Sequence, residues 1–454
     1  MYVTPRLRRL LAAALPALLV VAFAACSTAA YPNSVFTNET EYNREIGFLF
    51  KILIWLGTFV FIFVEGLLLY AIWRFRRRSD DERPKHVHGN TTLEILWTAL
   101  PALVLAGIAV PTVRTIFRTQ AKATADALQV EVVGHQWWWE FRYPQYKIVT
   151  ANELYLPVGR KVNFTLHSQD VIHSFSIPRL GGKRDLIANR TNFLWFTPDS
   201  IGEQALNGMC AEYCGASHAN MRFKVFTVTP ANFASWAAHQ QTPAAFGAVA
   251  APASPGAATT AAAVASTQIA ATQGAAQGAT EGTKPAGGPA VAVPAMPGHD
   301  MSAMTAAAPP AQAAAFIAFP REKIPQFAVP ETPLPDVQFN DALRGDADRG
   351  RALMTQGQGA CLGCHTITGN PSMMGVVGPN LTHVATRSTI AGGLYPNDAK
   401  HLARWIKNAR WMKPGVLMPT IGKGQYDPIL KTNLKQGLSD EQIADMVAYL
   451  QALK

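Results

Sequence analysis

Cys210-Ala-Glu-Tyr-Cys-Gly-Ala-Ser-His-Ala-Asn-Met221 brings two thiols, an imidazole and a thioether into one short stretch of backbone. Thiolate and thioether sulfur select soft metals such as copper, and imidazole suits copper equally. A second histidine, His173, lies upstream in Asp170-Val-Ile-His-Ser-Phe175. Two thiolates, two imidazoles, a thioether and a backbone carbonyl are enough for two copper ions bridged by the sulfurs. A structural zinc site would use the two cysteines and two histidines but would leave Met221 without a purpose. The four-residue steps from Cys210 to Cys214 to His218 also fit one helical face, whereas Gly215 and the flanking patterns favour a loop.

Those flanks have the period of strands. Leu128, Val130 and Val132 alternate with polar neighbours, as do Val162, Phe164 and Leu166, and then Phe223, Val225 and Thr227. Short strands with Gly and Pro turns predict an all-β Greek-key sandwich over residues 127–240, with the metal ligands on loops at one end. Gly134-His-Gln-Trp-Trp-Trp-Glu140 places three adjacent tryptophans on one strand, too many for a single face to bury, so one ring must approach the surface.

Cys-x-Glu-x-Cys-x3-His-x2-Met with an upstream Asp-Val-x-His-Ser resembles the CuA site of cytochrome c oxidase subunit II, over about residues 40 to 236. The resemblance implies a cupredoxin scaffold in which Cys210 and Cys214 bridge the coppers, His173 and His218 give nitrogens, Met221 gives a weak sulfur and Glu212 its carbonyl. It also implies a magnesium ion reached by the Glu212 side chain at the contact with subunit I. Trp137, the first tryptophan after His-Gln, takes the family's electron-entry position between CuA and the docked cytochrome. For any single tryptophan the competing reading is core packing. His135 reads as a packed, hydrogen-bonded histidine.

Length and composition fit a membrane anchor carrying more than one domain: 454 residues, 49% hydrophobic, with long apolar runs. Residues 1–25 read as a signal peptide, with Arg6, Arg8 and Arg9 ahead of an apolar stretch and Ala24-Ala25 before Cys26. Small residues before a cysteine resemble a lipobox, although Phe23 departs from it, so lipidation of Cys26 and plain cleavage both stand. Two transmembrane helices with a cytoplasmic loop are expected within 40–120, one from Ile46 to Trp73 and one from Leu93 to Val113 around Pro101. Arg74, Arg76, Arg77, Arg78, Arg83 and Lys85 lie between them, against Arg44 alone before the first. The loop is therefore cytoplasmic and both flanking ends face outward. Thr91-Thr-Leu-Glu94 fits a capping box, and Glu94-Ile-Leu-Trp-Thr-Ala-Leu-Pro101 also resembles the family segment whose glutamate marks the entrance of a proton path. The net charge of +10 is spread and accompanies no nucleic-acid motif, so nucleic acid is excluded as a partner.

Residues 241–318 are dominated by Ala, Pro, Gly, Thr and Gln, a composition without a core and hence a disordered linker. A flexible chain of that size spans about 45 to 50 Å root-mean-square and lets a domain swing. Its Met296-Pro-Gly-His-Asp-Met-Ser-Ala-Met304 run reads as incidental rather than as a copper trap. From residue 336 to 454 an all-α domain is expected, carrying Cys361-Leu-Gly-Cys-His365, the attachment motif of a c-type haem with His365 as proximal ligand. No second cysteine pair supports a zinc site and no βαβ pattern supports a thioredoxin-like one. A methionine sixth ligand raises the potential and suits electron transfer. Met418, in Pro414-Gly-Val-Leu-Met-Pro419, resembles the ligand of class I cytochromes c, with Met373, Met374 and Met412 as its rivals. Gly378-Pro-Asn-Leu381 resembles that family's haem-facing turn, and Ser439-Asp-Glu-Gln442 caps a terminal helix.

The whole chain resembles subunit II of a caa-type cytochrome c oxidase. The resemblance implies electrons passing through the fused haem c to binuclear CuA and on to the haem-copper centre of subunit I, in proton-pumping aerobic respiration. Subunit III and an upstream cytochrome c or quinol-cytochrome c reductase are the further implied partners. The implied location is the bacterial inner membrane, crossed twice, with both redox domains periplasmic. The alternative is the CuA subunit of a nitric-oxide-reducing haem-copper enzyme. A copper-free quinol oxidase subunit conflicts with the intact ligand set, and a copper chaperone needs neither two spans nor a covalent haem.

Overall fold

The two apolar runs form helices α1 (Glu41–Arg74) and α2 (Thr91–Gln120). This computed structural model describes residues 33–37, 39–76, 88–121, 123–244, 316–328, 332–357 and 361–454. The signal segment, Cys26, loop residues Arg77, Arg78, Arg83 and Lys85, nearly all of the linker and the Met296–Met304 run lie outside them. At 34 and 30 residues the helices exceed the roughly 30 Å of a bilayer's hydrocarbon. Their large apolar side chains point outward, as at Trp55, Phe59 and Leu103.

Helix α1 grows directly out of the β-domain. Its cap residue Thr40 accepts from Asn43 N at 3.1 Å and donates to Leu180 O, Asn43 donates to Pro178 O, and the Glu41 carboxylate takes Thr197 N and Oγ1 at 2.8 and 2.7 Å. Helix α2 is capped differently from the sequence expectation. Asn90, not Thr91, is the N-cap and accepts from Thr92 N and Leu93 N. Glu94 then falls one position beyond the site from which a capping-box side chain can reach back. Helix α2 carries both Pro101 and Pro111 in its interior.

The β-domain is a two-sheet sandwich. Strands β1 (Leu128–His135), β2 (Trp138–Tyr143), β3 (Ile148–Ala151), β4 (Glu153–Pro157), β5 (Val162–Ser168), β6 (His173–Ser176), β7 (Lys183–Leu186), β8 (Asn192–Phe196), β9 (Gln204–Cys210) and β10 (Arg222–Val228) build it. One sheet has the order β3-β2-β1-β5-β8 and the other β4-β10-β9-β6-β7; β1/β5 and β4/β10 are the parallel pairs. Leu128, Val130, Val132, Phe164 and Leu166 fill the space between sheets with the predicted alternation. Strand β10 is buried on both faces instead, because Phe319, from beyond the linker, stacks on Phe226 at 4.9 Å. Helix α3 (Pro230–Gln240) closes this domain, with Trp236 stacked on Tyr155.

The C-terminal domain is mainly helical: α4 (Ala347–Thr355), α5 (Ala399–Lys407), the short α6 (Ala409–Met412) and α7 (Asp440–Ala452). Asp346, Asp398, Asn408 and Ser439 cap them, and Ser439 with Gln442 makes the expected reciprocal capping box. Helices α4 and α7 cross where glycine permits close approach: a Cβ at Gly350 would lie 2.0 Å from Asp445 O. Two short ladders, Thr389–Ile390 with Tyr395–Pro396 and Tyr426–Asp427 with Thr432–Asn433, are additions that two-residue segments could not announce in sequence.

Candidate copper centre and haem cradle

Sheet register gathers the sulfur and nitrogen ligands. Cys210 ends β9 and Met221 immediately precedes β10, and Cys210 N donates to Met221 O at 3.0 Å, so residues 211–220 form the loop of a β-hairpin. The loop reading is right, with only a single 3-10 turn at His218–Asn220. His173 opens β6, which pairs with β9 through Phe175 and Cys210. Cys210 Sγ and Cys214 Sγ are 3.7 Å apart, Cys214 Sγ is 3.6 Å from His218 Nδ1 and 3.8 Å from Met221 Sδ, and Cys210 Sγ is 3.9 Å from His173 Nδ1. The Glu212 carbonyl lies 3.2 Å from Cys210 Sγ. All six sequence-selected groups thus converge, and His173, Cys210 and Cys214 are buried.

The donor set suits copper in kind as well as in geometry. Asp170 Oδ1 holds His173 Nε2 at 2.7 Å, which leaves Nδ1 turned toward Cys210. Burial depresses the His173 pKa, but the hydrogen bonds and charges of Asp170 and Cys210 outweigh it and leave it raised. The hydrogen bond between the two thiols, helped by His173, pushes Cys210 down to about 3 against the effect of burial, and Cys214 correspondingly rises. Cys210 is thus the more readily ionised of the two thiols, and thiolate is the form a metal takes.

The three tryptophans take three environments. Trp139 is in the core, and Trp138 stacks on His135 at 4.1 Å. His135 also meets Glu140 at 3.2 Å, as a packed, hydrogen-bonded histidine should. Trp137, 8% exposed, donates its indole N–H to Cys214 O at 2.9 Å. The residue also lines a cavity whose lining includes Cys361, Cys364, His365, Gly378, Met418 and Lys413.

That cavity has the features of a haem cradle. His365 Nδ1 is 2.8 Å from Pro379 O, a bond that fixes the ring and leaves Nε2 for a ligand. Gly378 leaves the flat space beside the imidazole; a Cβ there would come within 2.7 Å of His365 Cε1. Neither cysteine pair is joined as a disulfide, and Cys361 is pushed up to about 11 by burial and then by Cys364. Of the methionines weighed from sequence, Met418 lines the cavity, Met373 and Met412 are buried in the helical core, and Met374 is exposed. The lining also includes Met354 and Met446, which sequence reasoning passed over because they sit at helical spacing among core residues. Glu94 is exposed at the start of α2, apart from both sites.

A family model for the transmembrane domain of cytochrome c oxidase subunit II matches residues 39–115, and one for its periplasmic domain matches 147–228. A cytochrome c model matches 347–454. A protein of Rickettsia bellii described as a probable cytochrome c oxidase subunit 2 is 31% identical over 216 residues, covering 43% of this chain and 79% of that protein. The chain belongs to the cytochrome c oxidase subunit II family. Cytochrome c oxidase subunit 2 of Alkalihalophilus pseudofirmus is 41% identical over 183 residues, or 39% of this chain and 53% of that one. The chain spans about half the length of this and the two Bacillus relatives it matches. Among solved structures, the periplasmic domain of cytochrome oxidase subunit II from Bradyrhizobium japonicum is 30% identical, with a TM-score of 0.25, covering 26% of this chain and 95% of that domain.

For a member of the subunit II family with a fused cytochrome c domain, copper and haem c follow from the two domain types, and both donor sets fit them. The sequence did not reveal Lys413 and Glu153. Lys413 is 1% exposed; its Nζ donates to Trp137 O at 2.6 Å and Ala391 O at 2.9 Å, and burial pushes it down to about 7. Glu153 is 3% exposed on β4 and is raised by burial. A lysine or glutamate gives no sequence signal of burial when the groups it bonds lie far along the chain, as Trp137 O does for Lys413 and Ser388 for Glu153.

Proposed function

We propose that this chain is the electron-entry subunit of a terminal cytochrome c oxidase, built as a signal segment, a two-helix anchor, a CuA domain at 127–240, a linker at 241–318 and a haem c domain at 336–454. Cys210, Cys214, His173, His218, Met221 and the Glu212 carbonyl would hold a binuclear copper, and Cys361, Cys364, His365 and Met418 a haem, and the two groups would supply one-electron redox chemistry. The observation that carries this reading is the position of Trp137, whose indole bonds the Cys214 carbonyl while the residue lines the haem cradle. Asp170 orients His173, and the Pro379 carbonyl orients His365, so both imidazoles are held before a metal arrives.

Electrons then run from an upstream cytochrome c or quinol-cytochrome c reductase through this chain to subunit I, which with subunit III would reduce oxygen and pump protons. In this reading both redox domains lie on the periplasmic side of the inner membrane, held by the two-helix anchor. Glu94, at the exposed start of α2, stands where a proton path from the cytoplasm would begin. The Glu212 side chain would meet a magnesium ion at the subunit I contact. The test is the purified complex: it should show a c-haem spectrum and a mixed-valence copper signal together, and Cys214→Ser should abolish the copper signal while the c haem stays. An unchanged copper spectrum in that variant overturns the ligand assignment.

A further inference from the structure

One short loop of the haem domain makes part of its contact with the copper domain. Residues 388–393 lie against the copper domain, and two buried charged side chains, one from each side, close on them. Glu153 Oε1, from β4, accepts from Ser388 N at 2.6 Å, Ser388 Oγ at 2.5 Å and Thr389 N at 3.4 Å. Lys413, from the haem domain, ties Ala391 O to Trp137 O. Between them Arg222 N donates to Gly392 O at 3.0 Å. Gly392 has φ +77°, and a Cβ there would come 2.7 Å from Lys413 Nζ and 3.2 Å from Trp137 O. Beside this loop, Ser217 Oγ donates to Pro414 O at 2.6 Å, and Gly415 lies so close to Trp137 that a Cβ would reach 2.7 Å from two ring carbons.

A buried carboxylate and a buried ammonium are tolerated only where their hydrogen bonds are made, so such groups favour one docking register over its neighbours. Separation of the domains would return both to water. Glu153 and Lys413 are therefore two groups that lose hydrogen bonds across the contact when the domains part.

We propose that Glu153 and Lys413 latch the haem domain in a fixed register over Trp137, so that the occupant of the copper domain's electron port is this chain's own haem domain rather than a soluble cytochrome. The proposal rests on the reading of Trp137 as that port. It makes both residues positioning residues, and it makes the linker dispensable once docking has occurred. The segment after the linker supports this. Phe319 is seated on Phe226 and donates its N–H to Tyr155 Oη, while Arg321 reaches Asn397 O, Ala385 O and Arg387 O in the haem domain.

The experiment must remove the tether, because a linker of this kind holds its domain at about millimolar effective concentration and conceals a weakened latch. A protease site is placed within residues 249–314, and the full complex is cut after purification. Retention of the haem fragment and the rate of copper reduction by it are then measured. The parent complex should keep the fragment and its rate. Glu153→Ala and Lys413→Met should retain both metal spectra yet bind the cut fragment roughly a hundredfold more weakly, after which an added basic cytochrome c should reduce the copper directly. Glu153→Gln, which keeps the acceptor oxygen, should hold the fragment nearly as the parent does. Release of the parent fragment on cutting overturns the proposal, as does full retention in both Glu153→Ala and Lys413→Met. If the fragment stays bound but Trp137→Phe reduces copper at the parent rate, the latch stands and the electron-entry reading of Trp137 falls.

Discussion

Met418 and Met373 show how far residue type alone carries an assignment. Both are methionines of the same domain, but Met418 lines the cavity that includes His365, whereas Met373 is fully buried, with Ile367 N donating to its carbonyl at 3.0 Å. Met418→Ala should therefore abolish the sulfur-to-iron band of the oxidised haem and lower its potential, since a thioether ligand raises it. Met373→Ala should keep the band and instead cost about 2 to 5 kcal/mol of stability through the cavity it leaves. Loss of the band in Met373→Ala, with Met418→Ala unaltered, would reverse the assignment; absorption spectra and melting curves of the two variants decide it. The sequence singles out Met418 because it lies in a spaced motif whose chemistry is local. It did not show that Met354 and Met446 also face the cavity, because helical spacing identifies a buried face and not what that face is buried against.

At the scale of elements, helix α7 was legible from Ser439 onward and strands β1 and β5 from their alternation, since caps and periodicity are written in contiguous residues. The double burial of β10 was not, because its cover comes from Phe319, nearly a hundred residues later. The α4–α7 crossing is likewise long-range. Asp445 on α7 accepts from Asp346 N at 2.6 Å and from Arg349 Nε and Nη2 at 2.9 Å each. Burial alone would raise its pKa, but these bonds outweigh it and hold the carboxyl below its ordinary value. An acid depressed in the folded state contributes stability above its unfolded pKa near 4, and that contribution disappears as pH falls through the lower folded value. Acid unfolding of the haem domain, followed by the Soret band, should therefore begin below about pH 4. Asp445→Asn should lower stability at neutral pH by about 1 to 2 kcal/mol and flatten the acid limb. An acid limb as steep as the parent's in that variant would remove Asp445 from the account.

Across the whole molecule, the linker's composition allows the haem domain to swing and leaves its docking open, while the structure has it seated on Trp137 through Lys413, Ser217 and Gly415. Linker composition reports the absence of a core between domains and is silent about surfaces that meet elsewhere. The seated arrangement changes what salt should do. Between residues 127 and 240 the copper domain carries ten Lys and Arg against eight Asp and Glu, a balance that gives no strong acidic field to draw in a basic donor. On the proposed reading the donor is the seated haem domain, and no encounter step remains to be screened. Copper reduction by the attached haem should therefore stay nearly constant from about 10 mM to 1 M salt, although the Debye length falls from about 30 to 3 Å across that range. Deletion of residues 332–454, which keeps Phe319 on Phe226, should abolish this fast phase and uncover Trp137. A basic soluble cytochrome c should then restore reduction only slowly and in proportion to its concentration. Stopped-flow traces of the full-length and shortened complexes across the salt series decide the matter. A steep loss of rate with salt in the full-length complex would mean that the haem domain must find its seat at each turnover, and an equal rate in the shortened one would mean that Trp137 serves an external donor.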